Sequence, residues 1–240
     1  MSLLGTQATE NVFFINSTVA RVPTSDYFFI MNIVIIDYKA GNIRSVDFAL
    51  QRLGINAVVS ADKEILRSAD KIIFPGVGHA ESAMQHLKNA DLDIFIPTLK
   101  QPVLGICLGM QLLCSHTEEG NTKGLGIFDV NVKEFKPNNS TDKVPHMGWN
   151  TTDNLKGKLF DSNLFNKVKG NNQNLPQSQA QFYFVHTYYA ELCKDTVASC
   201  DYILPFSAAL QKDNFYAAQF HPEKSAEAGE ELLKNFLFGI

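Results

Sequence analysis

The 240-residue sequence has only four cysteines and a single tryptophan. Cys107, Cys114, Cys193 and Cys200 form no C-x-x-C pair and show no zinc-like spacing, so neither a metal site nor a bound cofactor is expected. Positive charge is not in excess. Lys and Arg number 21 against 25 Asp and Glu, a net charge of −4, and this excludes the basic footprint of a nucleic-acid binder. No apolar run reaches the roughly 18 residues that a membrane span needs. The first 30 residues have no basic start leading into an apolar core, which argues against a secretory signal. Internal repeats and Pro/Gly/Ser-rich linkers are also missing, so one domain is expected.

What is there is the composition of an ordinary globular protein, 45% hydrophobic and 19% charged. Residues 1–30 do not share the pattern of the rest and are expected to be an extension outside the fold, with the domain spanning 31–240. A chain beginning at Met31 is expected to keep fold, partner binding and activity. From Met31 onward, apolar runs alternate with helical periodicity. Strands are expected at 32–37, 55–60, 71–74 and 103–106. Helices are expected after Gly41-Asn42, around 64–68, over about 79–88 and after Cys107. Strands alternating with helices imply a parallel, doubly wound sheet with its chemistry at the carboxyl ends of strands. Beyond about Gly120 the segments 130–136, 183–191, 197–203 and 206–220 are aromatic and β-branched and read as antiparallel strands and hairpins. A polar loop is expected over 166–181, and an amphipathic helix over 227–238.

Gly105-Ile106-Cys107-Leu108-Gly109 lies between the fourth strand and its helix. A glycine two positions to either side of a nucleophile is the pattern of a nucleophile elbow, a turn so sharp that flanking side chains would collide. It would hold Cys107 exposed at a helix start, where unpaired N–H groups favour a thiolate. A cysteine nucleophile needs a base, and the base needs a group that fixes its tautomer. Gln219-Phe220-His221-Pro222-Glu223-Lys224-Ser225 offers both in His221 and Glu223. A lone His-Pro-Glu would be an ordinary surface turn; beside an elbow it is a strong signal.

These two motifs together resemble the class I (triad) glutamine amidotransferases. Three further stretches are Pro75-Gly76-Val77-Gly78, Pro145-His146-Met147-Gly148-Trp149-Asn150 and Tyr183-Phe184-Val185-His186-Thr187-Tyr188. They narrow the resemblance to the glutaminase subunits of imidazole glycerol phosphate synthases, from Met31 to the C-terminus. The fold implied is flavodoxin-like, a mostly parallel central sheet flanked by helices with antiparallel strands added in the C-terminal half. The activity implied is hydrolysis of L-glutamine to glutamate and ammonia, with Cys107 as nucleophile, His221 as base and Glu223 orienting it.

Elbow geometry makes the Leu108 N–H, at the helix start, one oxyanion donor, and the second is expected from Val77 or Gly78 in the Gly76-Val77-Gly78 loop, where backbone can approach substrate. The resemblance adds further site residues. It places Gly76, Gln111 and Glu119 against the substrate, although Glu118 sits beside Glu119. Gln111, four residues after Cys107, shares its helix face. Trp149 is either a core aromatic or, as favoured, a partner-facing anchor. Lys224 is placed at a rim facing the partner, a (β/α)8-barrel cyclase subunit of histidine biosynthesis. His186 is expected to be a satisfied strand histidine near the site, and Cys114 a buried helix residue. The expected compartment is the cytoplasm, where a thiol stays reduced. Three other readings stay open: a paralogous glutaminase for nucleotide-sugar amidination, a catalytically silent scaffold of the same fold, and a related small cysteine hydrolase.

Overall fold

β1 (Ile33–Ile36) is buried at every position, as a strand covered on both faces must be. Ile33 and Ile35 join one core and Val34 and Ile36 the other, the period-two alternation of a pleated strand. The computed structural model describes residues 31–39, 41–162, 165 and 179–240. The extension 1–30 lies outside these, as does all but the end of the loop expected over 166–181.

After β1 come α1 (Ile43–Arg52), β2 (Val58–Ser60), α2 (Lys63–Ser68) and β3 (Lys71–Gly76). Then follow α3 (Ala80–Asn89), α4 (Leu92–Phe95), β4 (Val103–Cys107) and α5 (Leu108–Leu113). The alternation expected from periodicity is therefore present. α1 turns Val46, Ala49 and Leu50 inward. α3 does the same with Ala80, Ala83, Met84 and Leu87, the stripe that seats a helix on a sheet.

The second half forms β5 (Cys114–Thr117), β6 (Thr122–Lys123), β7 (Phe128–Glu134), β8 (His146–Asp153) and β9 (Ala180–His186). β10 (Tyr188–Ala190), β11 (Thr196–Tyr202), β12 (Leu204–Lys212) and β13 (Phe215–Ala218) complete it. The large sheet has nine strands in the order β2-β1-β3-β4-β13-β12-β11-β8-β9. Its β2-to-β13 half is parallel and its β13-to-β9 half antiparallel. A second sheet of four strands runs β10-β7-β5-β6. This is the expected α/β architecture with antiparallel strands in the second half, but the large sheet is mixed, with parallel and antiparallel pairings in balance, rather than mostly parallel.

One pairing matters most for function. β13 lies parallel to β4 in a register that sets Ala218 against Ile106. The residues that follow β13, Gln219 to Glu223, therefore emerge beside Cys107, more than a hundred positions away in sequence.

The structure departs from the sequence reading at several places. The single strand expected over 183–191 is two strands in different sheets. Burial falls on Phe182, Phe184 and His186 but then on Tyr189 and Ala190, so the alternation slips phase at Thr187, where the chain changes sheets. Cys114 opens β5 rather than sitting in the helix. α5 stops because the carbonyls of Leu112 and Leu113 accept N–H groups of Leu125 and Ile127 at 2.8 and 2.9 Å, leaving none for another helical turn. β8 was not expected as a strand. The C-terminal helix (Ala226–Lys234) ends in a wider π turn, Asn235–Gly239. There the buried Lys71 ammonium donates to the carbonyls of Phe236, Leu237 and Ile240 at 2.7, 2.8 and 2.6 Å. Burial pushes Lys71 down to about 8, so the carbonyls hold an ammonium that is costly to bury.

Candidate active site

Cys107 ends β4 and starts α5, at φ 54° and ψ −109°. A non-glycine residue in such a conformation costs on the order of 1–3 kcal/mol and persists only where its surroundings enforce it. Here they do so by close approach. A Cβ on Gly109 would stand 1.9 Å from the Phe74 carbonyl oxygen, and one on Gly105 would stand 2.7 Å from Leu113 Cδ1. A Cβ on Gly76 would meet Gly109 N at 2.5 Å. The glycines thus interlock β3, β4 and α5, and the collision they avoid is with β3 and α5 rather than between the residues flanking Cys107. Gly109→Ala should therefore cost at least the roughly 3 kcal/mol upper end of ordinary overpacking, because rigid backbone is in the way. A urea midpoint for Gly109→Ala equal to that of the unsubstituted chain would contradict this.

His221 is anchored by its N–H to the Tyr183 carbonyl at 2.9 Å. Its Nδ1 lies 2.8 Å from Glu223 Oε1, and both side chains are buried, at 4% and 1% exposure. Pro222 between them keeps the turn tight enough for that contact. His221 and Cys107 line the same cavity. Burial opposes the charged imidazole, but the neighbouring Cys107 and the hydrogen-bonded Glu223 outweigh it and push His221 up to about 10. The Cys107 sulfur also faces the Val185 carbonyl at 3.8 Å and receives Gln219 Nε2 at 3.7 Å.

Val77, Gly78, Cys107, Leu108, Gln111, Glu119, His221 and Lys224 line one cavity of about 300 Å³. Sequence reasoning named all eight. Gly76 and Glu223 stand behind that wall, Gly76 against α5 and Glu223 behind His221. Of Gly76 and Gly78, only Gly78 has positive φ, at +104°, with open space where a Cβ would go. Gly76, expected against the substrate, is a packing glycine that does not line this cavity. Leu108 is the first residue of α5, where a backbone N–H has no partner inside the helix. The choice between neighbouring acids is resolved by position. Glu119 lies at the cavity and accepts the Ala80 N–H at 2.7 Å. Glu118 turns away to Lys133 and to the Glu134 N–H, and that backbone hydrogen bond holds its carboxyl below the usual range.

The family model described as glutamine amidotransferase class-I matches residues 34–240. The imidazole glycerol phosphate synthase subunit HisH of Bacteroides fragilis (strain ATCC 25285) is 59% identical over 208 residues, which is 86% of this chain and 99% of the relative. The subunit HisH 2 of Campylobacter jejuni (strain RM1221) is 45% identical over 211 residues, covering 88% and 100%. The chain belongs to the class I glutamine amidotransferases, in the family of the imidazole glycerol phosphate synthase glutaminase subunit. Among solved structures, a glutamine amidotransferase aligns with TM-score 0.61 at 18% identity, covering 86% of this chain and 99% of that one. PurLQS from Thermotoga maritima aligns with TM-score 0.60 at 17% identity, covering 86% and 97%. Such distant likenesses speak for the amidotransferase fold alone.

On β8 of this amidotransferase, Met147 and Trp149 point outward, 63% and 52% exposed, and Trp149 meets Tyr183 of β9 edge-on at 6.1 Å. Trp149 is therefore not a core aromatic. Lys224 is exposed at the cavity rim. His186 is a satisfied strand histidine, as expected, with Nδ1 on the Tyr188 carbonyl at 2.8 Å. Sequence reasoning gave no role to Gln219 or His146, although both lie within motifs it singled out.

The histidines predict how stability depends on pH. Burial lowers His146 to about 4 and His186 to about 3. Both stay neutral in the fold while unfolded imidazoles protonate below about 6.5, so stability should fall as pH drops from about 6.5 toward 3. His221 has the opposite sign. Its contribution is present below about 6.5 and lost as pH rises toward about 10. Urea midpoints should thus decline on both sides of pH 6.5, and His221→Phe should flatten the alkaline side. An unchanged alkaline slope in His221→Phe would contradict the assignment.

Proposed function

We propose that Cys107, His221 and Glu223 form the catalytic triad of a glutaminase that passes ammonia to a (β/α)8-barrel cyclase subunit. The observation that carries this reading is the His221–Glu223 pair, 2.8 Å apart, with His221 and Cys107 on the wall of one cavity that also presents Gln111 and Glu119. The sulfur attacks the side-chain carbonyl carbon of glutamine, and the carbonyl electrons move to oxygen. That oxyanion is met by the Leu108 N–H and by an N–H from the Val77–Gly78 loop, each worth about 2.7–4 kcal/mol in such sites. His221, which holds its proton at neutral pH, gives it to the departing nitrogen as the C–N bond breaks. Ammonia leaves and a γ-glutamyl thioester remains. Water then adds with His221 as base, and glutamate is released with the sulfur restored. Glu223 holds the imidazole by Nδ1 throughout, so Nε2 stays aimed at the sulfur.

The exposed Met147 and Trp149, with Lys224 at the rim, suit the docking face for the cyclase. Aromatic side chains at the centre of such faces carry much of the binding energy. A free thiol nucleophile suits the cytoplasm. The test is graded kinetics. His221→Asn should cost roughly 10⁴–10⁶ in kcat, and Glu223→Gln about a hundredfold less than that, since orientation is partly kept. Wild-type turnover by Glu223→Gln would remove Glu223 from the triad.

A further inference from the structure

Gln111 is held by groups that the glutaminase reading leaves without a role, and they form one continuous line of hydrogen bonds. Gln111 Nε2 gives its two protons to the Tyr188 carbonyl at 2.9 Å and to Gln219 Oε1 at 3.0 Å. The Tyr188 carbonyl also accepts from His186 Nδ1 at 2.8 Å. His186 Nε2 lies 3.0 Å from His146 Nδ1, and His146 Nε2 lies 3.3 Å from Asn150 Nδ2. Asn150 is fixed in turn, donating to the Asp201 carbonyl at 3.2 Å and accepting the Thr151 N–H at 2.8 Å.

Protons can be placed along this line in only one way when the rings are neutral, as burial keeps them. A carbonyl only accepts, so His186 carries its proton on Nδ1 and accepts at Nε2. His146 must then donate from Nδ1 and accept from Asn150 at Nε2. With both Nε2 protons of Gln111 engaged, a flipped amide would set oxygen against two acceptors. Oε1 is thus the one polar atom of Gln111 with no partner among the described residues, on a side chain that lines the cavity.

We infer that His186 and His146 are positioning residues: through the Tyr188 carbonyl they hold Gln111 so that Oε1 accepts an N–H of the bound glutamine. The inference rests on the reading that glutamine occupies this cavity at Cys107. The ring of His146 is stacked on Tyr202 at 3.9 Å and on Phe184 at 4.8 Å. His146→Phe therefore keeps the stack and removes the donor, while His146→Asn keeps a donor near the Nδ1 position.

The test uses the full chain with its partner subunit. His146→Phe should raise KM for glutamine about tenfold, the value of one lost orienting hydrogen bond, with kcat within about twofold. His146→Asn should restore KM, a rescue that general loss of packing would not give. In the unsubstituted chain, histidine ¹⁵N spectra should show both rings neutral with the proton on Nδ1. A proton on Nε2 of His186 overturns the inference whether or not the variants fold. A raised KM in Gln111→Ala together with a wild-type KM in His146→Phe overturns it alone. An unchanged KM in Gln111→Ala overturns it together with the site reading.

Discussion

Cys107→Ala, in complex with the partner subunit, is expected to lose glutamine hydrolysis by roughly 10⁴–10⁶-fold, the scale on which removing a covalent nucleophile acts. The partner's own reaction should continue when ammonium salts replace glutamine, because the substitution touches only the ammonia supply. No other cysteine with a shifted thiol can take over. Burial pushes Cys200 up to about 12 and Cys114 higher still, so both stay as inert thiols. Nor should the substitution disturb the elbow, whose shape comes from Gly76, Gly105 and Gly109 meeting backbone and Leu113. Alanine at 107 keeps the Cβ and loses only the sulfur. Residual turnover in Cys107→Ala above about one per cent of the unsubstituted rate would sink the nucleophile assignment.

The second large effect concerns control. The isolated chain should hydrolyse glutamine slowly, and the partner subunit should raise turnover by about 10²–10³, the worth of one oxyanion donor. Gly78 is where such a donor can be switched. It sits at φ +104° with nothing within 4 Å of a would-be Cβ, so its peptide can rotate without meeting packed neighbours. Gly78→Val strains only the backbone there and should leave the fold intact. It is expected to hold partner affinity within about threefold while removing most of the 10²–10³ activation. Gly76→Ala would act differently, by forcing α5 off β3. Steady-state turnover of Gly78→Val with and without partner separates the cases. Full turnover by the isolated, unsubstituted chain at saturating glutamine would refute this control.

Much of this was legible because the signals were local or came in motifs. The glycine spacing around Cys107 and the Gln-Phe-His-Pro-Glu run pointed to the groups proposed to react. Apolar runs such as Ile33–Ile36 named the parallel strands. What stayed hidden depends on pairing. β8 is half exposed, with His146 and Asn150 turned inward and Met147 and Trp149 outward, and its polar inner face gives no apolar alternation to read. The break at Thr187 is a slip of phase inside one aromatic run, visible only once two sheets compete for it. Gly76 and Gly78 look alike in sequence, yet one is needed for close approach and the other for its φ. The line from Asn150 to Gln111 crosses β8, β9, β10 and α5, and no spacing along the chain announces it.

During turnover the sulfur of Cys107 should form a covalent bond with the glutamine carboxamide carbon. The most direct measurement is acid quenching of the complex during glutamine turnover, followed by mass spectrometry of the cysteine-containing peptides. A γ-glutamyl adduct is expected on the Cys107 peptide that forms with glutamine, decays once glutamine is exhausted, and is absent in Cys107→Ala. An adduct on Cys114, Cys193 or Cys200 that tracks turnover, or steady turnover with no adduct on Cys107, would contradict it.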